Sequence, residues 1–321
     1  MLANINLFGL LPAAILTLAG SATARTWLQK SDIRGHAFYD TYSFYDGRDP
    51  THGDVDFAQG PMLSWVDDDN RWNMKVSTAN HANGNRGSVR MSSNYWIGDG
   101  VIIANITHAP TGCGVWPAFW TLGEGTWPYG GEIDILEWAN DAEYENGDNS
   151  ITLHTQPGCS VDSEALPNQR GKLRHTNCHG GCQVRAQDPK GHATAGLGIN
   201  AAGGVTVAME RDFSWGGKGI RIWQWARNET VPADVAAQGF AVDTASWGTP
   251  TASFPVNPSC KFAFNQHQII WDITLGGDWA AGAWGGTSCN DRFGSISNLI
   301  DNHGNAFSEA YWSVDSVMHY V

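Results

Sequence analysis

Apolar and polar residues alternate along much of this chain, which predicts short β-strands. The clearest case is Ile220–Trp225, in which two isoleucines and a glutamine alternate with an arginine and two tryptophans. In a strand, successive side chains point to opposite faces of the sheet, so this pattern indicates a strand with two distinct faces. Strands are predicted at Ser88–Trp96, Val101–Thr107, Gly131–Trp138, Ser150–Thr155, Thr206–Arg211, Ile220–Trp225, Gln268–Leu275 and Tyr311–Tyr320.

Turns rich in glycine, asparagine and aspartate separate these strands. They lie at Asp67–Asn70, Asn80–Gly87, Gly216–Gly219 and Gly282–Gly286. One short helix is predicted at Pro232–Gln238, and no linker, repeat or low-complexity segment is evident. Many short strands with regular turns are typical of an all-β sandwich or jelly roll.

The segment Trp127–Trp138 carries three acids among residues that belong in a protein interior. Removing a charge from water is unfavourable, so buried acids usually have a partner or a function. In a strand, Glu132 and Asp134 share a face, whereas Glu137 is out of phase by one residue. A single β-bulge between Asp134 and Glu137 would bring all three onto one face.

Two glutamates around a third acid fit the chemistry of retaining glycoside hydrolysis. That reaction needs one carboxylate as nucleophile and a second as general acid and then base, about 5–5.5 Å apart. Three close carboxyls cannot all ionise at neutral pH, and Asp134 could orient a glutamate by hydrogen bonding. The simpler alternative is an edge strand with surface acids. The apolar opposite face and the tryptophans around the acids favour the catalytic interpretation.

The composition limits the classes of partner. The 321 residues carry a net charge of −13, so nucleic acid and anionic membranes are not expected as partners. Sixteen tryptophans are consistent with a sugar-binding cleft, because pyranose rings pack on indole faces. Neither a nucleophile elbow with a central serine nor a phosphate-binding glycine loop occurs. No cofactor or metal is expected, and no dedicated calcium loop is evident.

Residues 1–24 are predicted to be a secretory signal peptide. An apolar stretch at Leu7–Leu18 is followed by Ala22–Ala24, a cleavage site of small residues. The stretch is shorter than the ~20 residues that a membrane span needs. The segment before it has no lysine or arginine, which departs from the usual signal. A single catalytic domain is expected over 25–321, in a secreted, extracellular monomer.

Six cysteines in a secreted chain indicate disulfides. They are Cys113, Cys159, Cys178, Cys182, Cys260 and Cys289, which allow 15 complete pairings. A zinc site is the alternative, with ligands drawn from His175, Cys178, His179, Cys182 and His192. Disulfides are favoured because oxidised sulfurs do not ligate zinc. Two glycosylation sequons, at Asn105 and Asn228, are also consistent with secretion.

An ordered series of motifs resembles glycoside hydrolase family 16, most closely its fungal endo-1,3(4)-β-glucanase or laminarinase-type branch. The motifs are Trp116–Trp120, Glu124–Pro128, Glu132–Glu137, Thr152–Thr155, Asn228, Trp247–Thr251, Gly277–Ala280 and Ala310–Trp312. The resemblance covers nearly all of the chain after the first ~25 residues. It implies a jelly-roll sandwich of two curved antiparallel sheets, of the concanavalin A-like kind.

The resemblance also implies residue roles. Glu132 corresponds to the nucleophile, Glu137 to the general acid/base and Asp134 to the assisting acid. The substrate-binding residues that it implies are Trp120, Trp127, His154, Trp279 and Arg86. Trp116 is expected to be a packing residue. The family pattern usually has a small residue after the acid/base glutamate, where this chain has Trp138. A core-facing Trp138 would change packing only, whereas a cleft-facing one would reshape a subsite.

Three functions follow as hypotheses. The first is a secreted retaining endo-β-glucanase that acts on 1,3- or mixed 1,3/1,4-β-glucans. The second is a β-glucan transglycosylase that uses the same two glutamates. The third is a non-catalytic, lectin-like glucan-binding protein, which has no need for both glutamates.

Overall fold

The computed structural model describes residues 25–82, 84–141, 147–161, 168–188, 191–255 and 260–321. Most of the regular structure in these ranges is β-strand. The strands are β1 (Thr26–Ile33), β2 (Tyr42–Phe44), β3 (Val55–Asp56), β4 (Ser64–Val66), β5 (Trp72–Lys75), β6 (Arg86–Gly87), β7 (Arg90–Ser93), β8 (Gly100–His108), β9 (Val115–Gly123), β10 (Glu132–Glu137), β11 (Ser150–His154), β12 (Lys172–His175), β13 (Cys182–Arg185), β14 (Val205–Asp212), β15 (Gly219–Ala226), β16 (Ala241–Asp243), β17 (Ala252–Phe254), β18 (His267–Leu275) and β19 (Tyr311–Tyr320).

The helices are short. The α-helices are α1 (Ala37–Thr41), α2 (Gly196–Ala201), α3 (Ala233–Ala237), α4 (Gly277–Ala280), α5 (Ser288–Phe293) and α6 (Ile296–Asn302). The 3₁₀ turns lie at Phe57–Met62, Thr244–Ser246, Cys260–Ala263, Trp284–Gly286 and Gly304–Phe307. Within the described ranges, no helix is both long enough and apolar enough to cross a membrane.

The strands form two large antiparallel sheets. The nine-stranded sheet has the order β16-β1-β19-β8-β14-β15-β17, with β5 also paired to β19 and β4 paired to β5. The eight-stranded sheet has the order β12-β13-β11-β10-β9-β18-β7-β2. Two sheets face to face in this way confirm the predicted jelly-roll sandwich. The sheet order places β10 between β9 and β11, near the middle of the eight-stranded sheet.

The main core lies between the two sheets. Ile133, Ile135 and Phe119 of the eight-stranded sheet belong to the same buried cluster as Ile222 and Val207 of the nine-stranded sheet. A second apolar cluster covers the outer face of the nine-stranded sheet and includes several tryptophans. One face of the eight-stranded sheet is therefore committed to the core, and its other face, which we call the cleft face, is left for a ligand.

Most strand predictions are confirmed, with small changes at the ends. All eight predicted strands are present, although Ser88–Trp96 is reduced to β7. The predicted helix is α3. The elements that were not predicted are the strands β1 to β6, β9, β12, β13, β16 and β17 and the helices α1, α2 and α4 to α6. The segment 282–286 is a turn that ends in a 3₁₀ turn, as its glycines suggest.

The cysteines form three disulfides, as predicted. The pairs are Cys113–Cys289, Cys159–Cys260 and Cys178–Cys182. The Cys178–Cys182 disulfide joins both cysteines of the alternative zinc site, so neither can act as a thiolate ligand. Cys113–Cys289 links the loop before β9 to α5, and this link supports one end of the central strands.

Candidate active site

The acidic strand β10 contains the predicted bulge. Against β9, Asp134 lies opposite Trp120, whereas Leu136 lies opposite Phe119, so Ile135 is the extra residue. Glu137 then lies opposite Ala118, which shares a face of β9 with Trp120. The bulge therefore places Glu132, Asp134 and Glu137 on the cleft face, while Ile133 and Ile135 stay in the core.

A glycine makes the entry to β10 possible. Gly131 has a φ of 82°, a left-handed conformation that glycine adopts without steric strain. A Cβ at this position would lie 2.5 Å from the Phe264 ring. The chain can therefore turn sharply into Glu132 only because residue 131 has no side chain.

Each glutamate accepts a hydrogen bond from a tryptophan. Trp127 Nε1 donates to Glu132 Oε2 at 2.9 Å, and Trp116 Nε1 donates to Glu137 Oε1 at 2.8 Å. Trp116, expected to be a packing residue, thus contacts the acid cluster directly. The two indoles fix the carboxyl groups at opposite ends of β10.

His154 lies next to the acids. In the β10–β11 pairing it is opposite Glu132, and its Nε2 is 3.5 Å from Asp134 Oδ2 and 3.9 Å from Glu132 Oε1. Burial lowers the pKa of His154 to about 4, so the ring is neutral at physiological pH. A neutral imidazole carries no charge that would hold Asp134 ionised.

Burial dominates the titration of the acids. Loss of solvation raises the pKa of Glu132 to about 7 and that of Glu137 to about 8, and it raises the pKa of Asp134 well above its usual value. The carboxyls also repel one another, so they titrate as a coupled set. At neutral pH the cluster therefore holds both protons and negative charge, which acid catalysis and nucleophilic attack respectively require.

The structure adds a fourth carboxyl that sequence reasoning missed. Asp272 on β18 lies opposite Ala118, and its Oδ2 accepts a hydrogen bond from Trp120 Nε1 at 3.1 Å. Burial raises its pKa to about 7, and Arg90 lies 3.8 Å away. A signal was present in the sequence, because Asp272 interrupts an apolar strand as Glu132 and Asp134 do.

The predicted aromatic residues occupy different parts of the cleft face. Trp127 is 55% exposed and its ring is 5.8 Å from that of His154. Trp120 is half-buried beneath the Arg90 guanidinium, 4.9 Å away. Trp279 on α4 meets Trp116 edge to face at 5.8 Å. Trp127 binds Glu132, and Trp279 packs on Trp116, which binds Glu137. Trp127 and Trp279 therefore lie at opposite ends of the acid cluster.

Two further residues have defined positions. Arg86 is 1% exposed and donates to the backbone carbonyls of Ser77, Ala79 and Ile300. This buried anchor for loops differs from the substrate-binding arginine that was expected. Trp138 also faces the core: its Nε1 donates to Pro110 O at 3.0 Å. Trp138 therefore affects packing and does not reshape the cleft.

One group on the cleft face has the donor atoms of a metal site. Among the described residues, Glu132, Asp134 and His154 each offer one ligand atom within 4.8 Å of the others. These are the same groups that form the acid cluster, so a bound cation would compete with its chemistry.

A jelly roll with paired, buried glutamates on an open sheet face is the arrangement of a glycoside hydrolase. The chain belongs to glycoside hydrolase family 16: residues 42–320 match the family model described as the XgeA-like catalytic domain of that family. This assignment confirms the resemblance seen in the sequence, and the protein is a glycoside hydrolase.

Curated relatives support the family. A probable glycosidase of Schizosaccharomyces pombe is 32% identical over 317 residues, which cover 94% of this chain and 70% of that protein. A probable endo-1,3(4)-β-glucanase of Aspergillus flavus is 32% identical over 322 residues, 94% of this chain. The match covers only 45% of the Aspergillus protein, so the chain spans about half of that relative's length.

Solved structures agree. Laminarinase 16A from Phanerochaete chrysosporium, solved with β-glucans in both donor and acceptor sites, is 33% identical with a TM-score of 0.82. The match covers 92% of this chain and all of that one. An elongating family 16 β-1,3-glucosyltransferase is 30% identical with a TM-score of 0.79 over the same shares.

Proposed function

We propose that this protein is a secreted retaining endo-β-glucanase that hydrolyses 1,3- or mixed 1,3/1,4-β-glucans through a covalent glycosyl-enzyme intermediate. Glu132 is the nucleophile, Glu137 the general acid/base and Asp134 the assisting acid. The observation that carries the proposal is the bulge at Ile135, since it puts both glutamates on the cleft face with Asp134 between them.

In the first step, a Glu132 carboxylate oxygen attacks the anomeric carbon, and Glu137 gives its proton to the departing glycosidic oxygen. The C–O bond to the leaving sugar breaks as the bond to Glu132 forms. In the second step, Glu137 takes a proton from water, and the resulting hydroxide displaces Glu132. Two inversions at the anomeric carbon leave the product in the β configuration.

The pKa values fit these roles. A nucleophile must be ionised and a general acid protonated, and the pKa of Glu132 is raised to about 7 whereas that of Glu137 is raised to about 8. A protonated Asp134 can donate a hydrogen bond to the Glu132 carboxylate. When the Glu132–sugar bond breaks, that bond stabilises the returning negative charge.

The cleft surface suits a neutral polysaccharide. Trp127, Trp120 and Trp279 offer indole faces near the acids, and pyranose C–H faces pack well on such rings. The names of the relatives favour a β-1,3-glucan backbone. We propose that Trp127 and Trp279 hold sugars on opposite sides of the cleavage point.

Transfer to a sugar is the second candidate. One solved relative with 30% identity is an elongating β-1,3-glucosyltransferase, and transfer uses the same intermediate. The two activities differ only in whether water or a glucan hydroxyl displaces Glu132.

Secretion is supported by chemistry. Three disulfides persist in oxidising compartments, whereas cytosolic thiols stay reduced. The predicted signal peptide, residues 1–24, lies outside the described residues. Of the two sequons, Asn228 is exposed, while the Asn105 amide donates to Ser316 Oγ within the sheet.

A product profile tests the proposed function. Purified protein is incubated with laminarin, lichenan, curdlan and a short 1,3-oligosaccharide, and the products are sized by chromatography. Endo-hydrolysis predicts mixed short oligosaccharides from laminarin or lichenan, and transfer predicts products longer than the oligosaccharide. Glu137→Gln is the control and should release almost nothing. Lack of any product on all four glucans would contradict the proposed activity.

A further inference from the structure

Asn149 is buried directly before β11 and contacts the bulge with its side chain. Its Oδ1 accepts a hydrogen bond from the Glu137 backbone N–H at 2.9 Å. Its Nδ2 donates to the Ile135 carbonyl, also at 2.9 Å. One amide group therefore spans the bulge from the extra residue to the second glutamate.

The bulge creates the need for this contact. The β10–β11 ladder pairs Glu132, Ile133 and Asp134, and it ends there. Beyond that point, the Ile135 carbonyl and the Glu137 N–H face β11 without a regular backbone partner. Buried backbone groups without partners are rare because they are unfavourable. The Asn149 amide takes the place of the missing ladder bonds.

The amide is itself held in one orientation. The Glu137 N–H requires the amide oxygen as its acceptor, and the Ile135 carbonyl requires the amide nitrogen as its donor. These two backbone groups therefore fix the orientation of the Asn149 amide. The second Nδ2 hydrogen donates to Gln224 Oε1 at 3.0 Å. The Asn149 N–H donates to Thr194 Oγ1, and its carbonyl accepts from Ala186 N. Gln224 belongs to β15, so the bulge is anchored to the opposite sheet.

We propose that Asn149 is a positioning residue for the acid/base glutamate. By fixing the backbone at Ile135 and Glu137, it holds the Glu137 carboxyl on the cleft face at the distance from Glu132 that retention requires. This inference rests on the proposed function of Glu137. A displacement of about 1 Å at a catalytic group can lower a rate by about 10²-fold.

Asn200 supplies a matched control. Its Oδ1 accepts from the Ala109 N–H and its Nδ2 donates to the Ala109 carbonyl, both at 2.9 Å. Asn200 thus also bridges a backbone donor and acceptor, but it lies on α2 beside β8 of the nine-stranded sheet. Asn200→Ala should lower the melting temperature without changing turnover per folded molecule.

The experiment compares Asn149→Ala, Asn200→Ala and Glu137→Ala on laminarin and on a 2,4-dinitrophenyl β-glycoside of a 1,3-glucan disaccharide. The dinitrophenolate leaves without acid assistance, so only the second step needs Glu137. Azide can replace the water in that step without a base, and it forms a β-glycosyl azide as it displaces Glu132. Folding of each variant is checked by circular dichroism.

We expect Asn149→Ala to lose about ten- to a hundred-fold in kcat on laminarin, with a small change in KM. Azide should restore turnover of the aryl glycoside in Glu137→Ala, in which the acid/base side chain is removed, but it should not change Asn149→Ala or Asn200→Ala, which keep the Glu137 carboxylate. Asn149→Asp keeps the acceptor for the Glu137 N–H, should lose less activity, and serves if the alanine variant does not fold.

The outcomes separate the two claims. If Glu137→Ala keeps its activity on laminarin, the proposed function fails. If Glu137→Ala is inactive and rescued by azide, while a folded Asn149→Ala or Asn149→Asp keeps the wild-type kcat, then the positioning role of Asn149 is wrong. Equal losses of kcat in folded Asn149→Ala and Asn200→Ala also contradict the positioning role, because the defect is then not specific to the bulge.

Discussion

Tryptophans bind carboxylates in two regions of this molecule, and the regions differ in how the charge is balanced. In the cleft, Trp127 donates to Glu132 and Trp116 donates to Glu137. On the outer face of the nine-stranded sheet, Trp27 donates to Glu210 at 3.1 Å. Each of these carboxylates therefore receives an indole N–H from a neighbouring tryptophan.

The outer region balances its charge. Glu210 lies opposite Arg221 in the β14–β15 ladder, and Arg221 Nε donates to Glu210 Oε2 at 2.7 Å. In the cleft, burial raises the pKa values of Glu132 and Glu137, and each lies near further carboxyls. A buried carboxylate with a bound arginine supports structure, whereas buried carboxyls that share protons are available for chemistry. A hydrogen bond from tryptophan to glutamate therefore does not by itself distinguish a structural carboxylate from a catalytic one.

The largest predicted difference is between Glu132→Gln and Glu210→Gln. Glu132→Gln should lower kcat on laminarin by at least about 10³-fold, since it removes the proposed nucleophile, and the fold should remain intact. Glu210→Gln should lower the free energy of unfolding by about 3 kcal/mol, because it leaves Arg221 without its counter-charge. Steady-state kinetics and urea unfolding measure the two effects. If Glu210→Gln reduces kcat while its free energy of unfolding is unchanged, the structural role of Glu210 is wrong.

A second difference concerns stability and pH. The pKa of Glu137 is raised to about 8 by burial, so folding favours the protonated form, and wild-type stability falls as pH rises from about 4.5 to 8. Glu137→Gln removes that loss. We expect the variant to be more stable than wild type by about 1–3 kcal/mol at pH 8.5, and similar to wild type at pH 4. Thermal unfolding at both pH values measures this, and a larger gain at pH 4 would reverse the predicted sign.

A third prediction compares a tryptophan of the cleft, Trp127, with one of the outer region, Trp247. Trp127→Phe keeps an aromatic face but removes the N–H bound to Glu132, so kcat/KM on laminarin should fall by about ten-fold. That N–H lowers the pKa of Glu132, so the acid limb of the pH profile should move to higher pH. Trp247→Phe removes an N–H bound to Asp234 in the outer region. It should lower the free energy of unfolding by about 1–2 kcal/mol and leave kcat/KM unchanged.

The smallest predicted effect comes from Asp272→Asn. The Asp272 charge raises the pKa values of Glu132, Asp134 and Glu137, so its removal makes each of them easier to ionise. Both limbs of the pH profile of kcat/KM should therefore move to lower pH, by less than about one unit. A shift to higher pH would show that Asp272 does not act through its charge.

The sequence predicted the acid cluster because its signal is local. Three acids in one apolar segment with a one-residue phase error require a bulge, and the bulge lies at Ile135. Strand pairing is not local, so the contribution of Asp272 was missed. It reaches the cluster only because β18 pairs with β9, which in turn pairs with β10.

The same limit applies to Arg86, which was expected to bind substrate, and to β9, which was not predicted. Arg86 follows a loop of polar residues, and nothing in that loop indicates that its guanidinium binds three backbone carbonyls. The β9 strand is rich in strand-forming residues but contains Pro117, which disfavours a central strand, and the pairing with β10 and β18 on either side nonetheless stabilises it. In both cases tertiary contacts, which local patterns do not encode, decide the outcome.

The central claim is that the two cleft glutamates hydrolyse β-glucan with retention. The most direct measurement follows the anomeric protons by NMR in the first minutes of hydrolysis of a 1,3-β-glucan oligosaccharide. Retention predicts that the β-anomer of the new reducing end appears first and that the α-anomer follows by mutarotation. If the α-anomer appears first, the mechanism is inverting and Glu132 is not a covalent nucleophile.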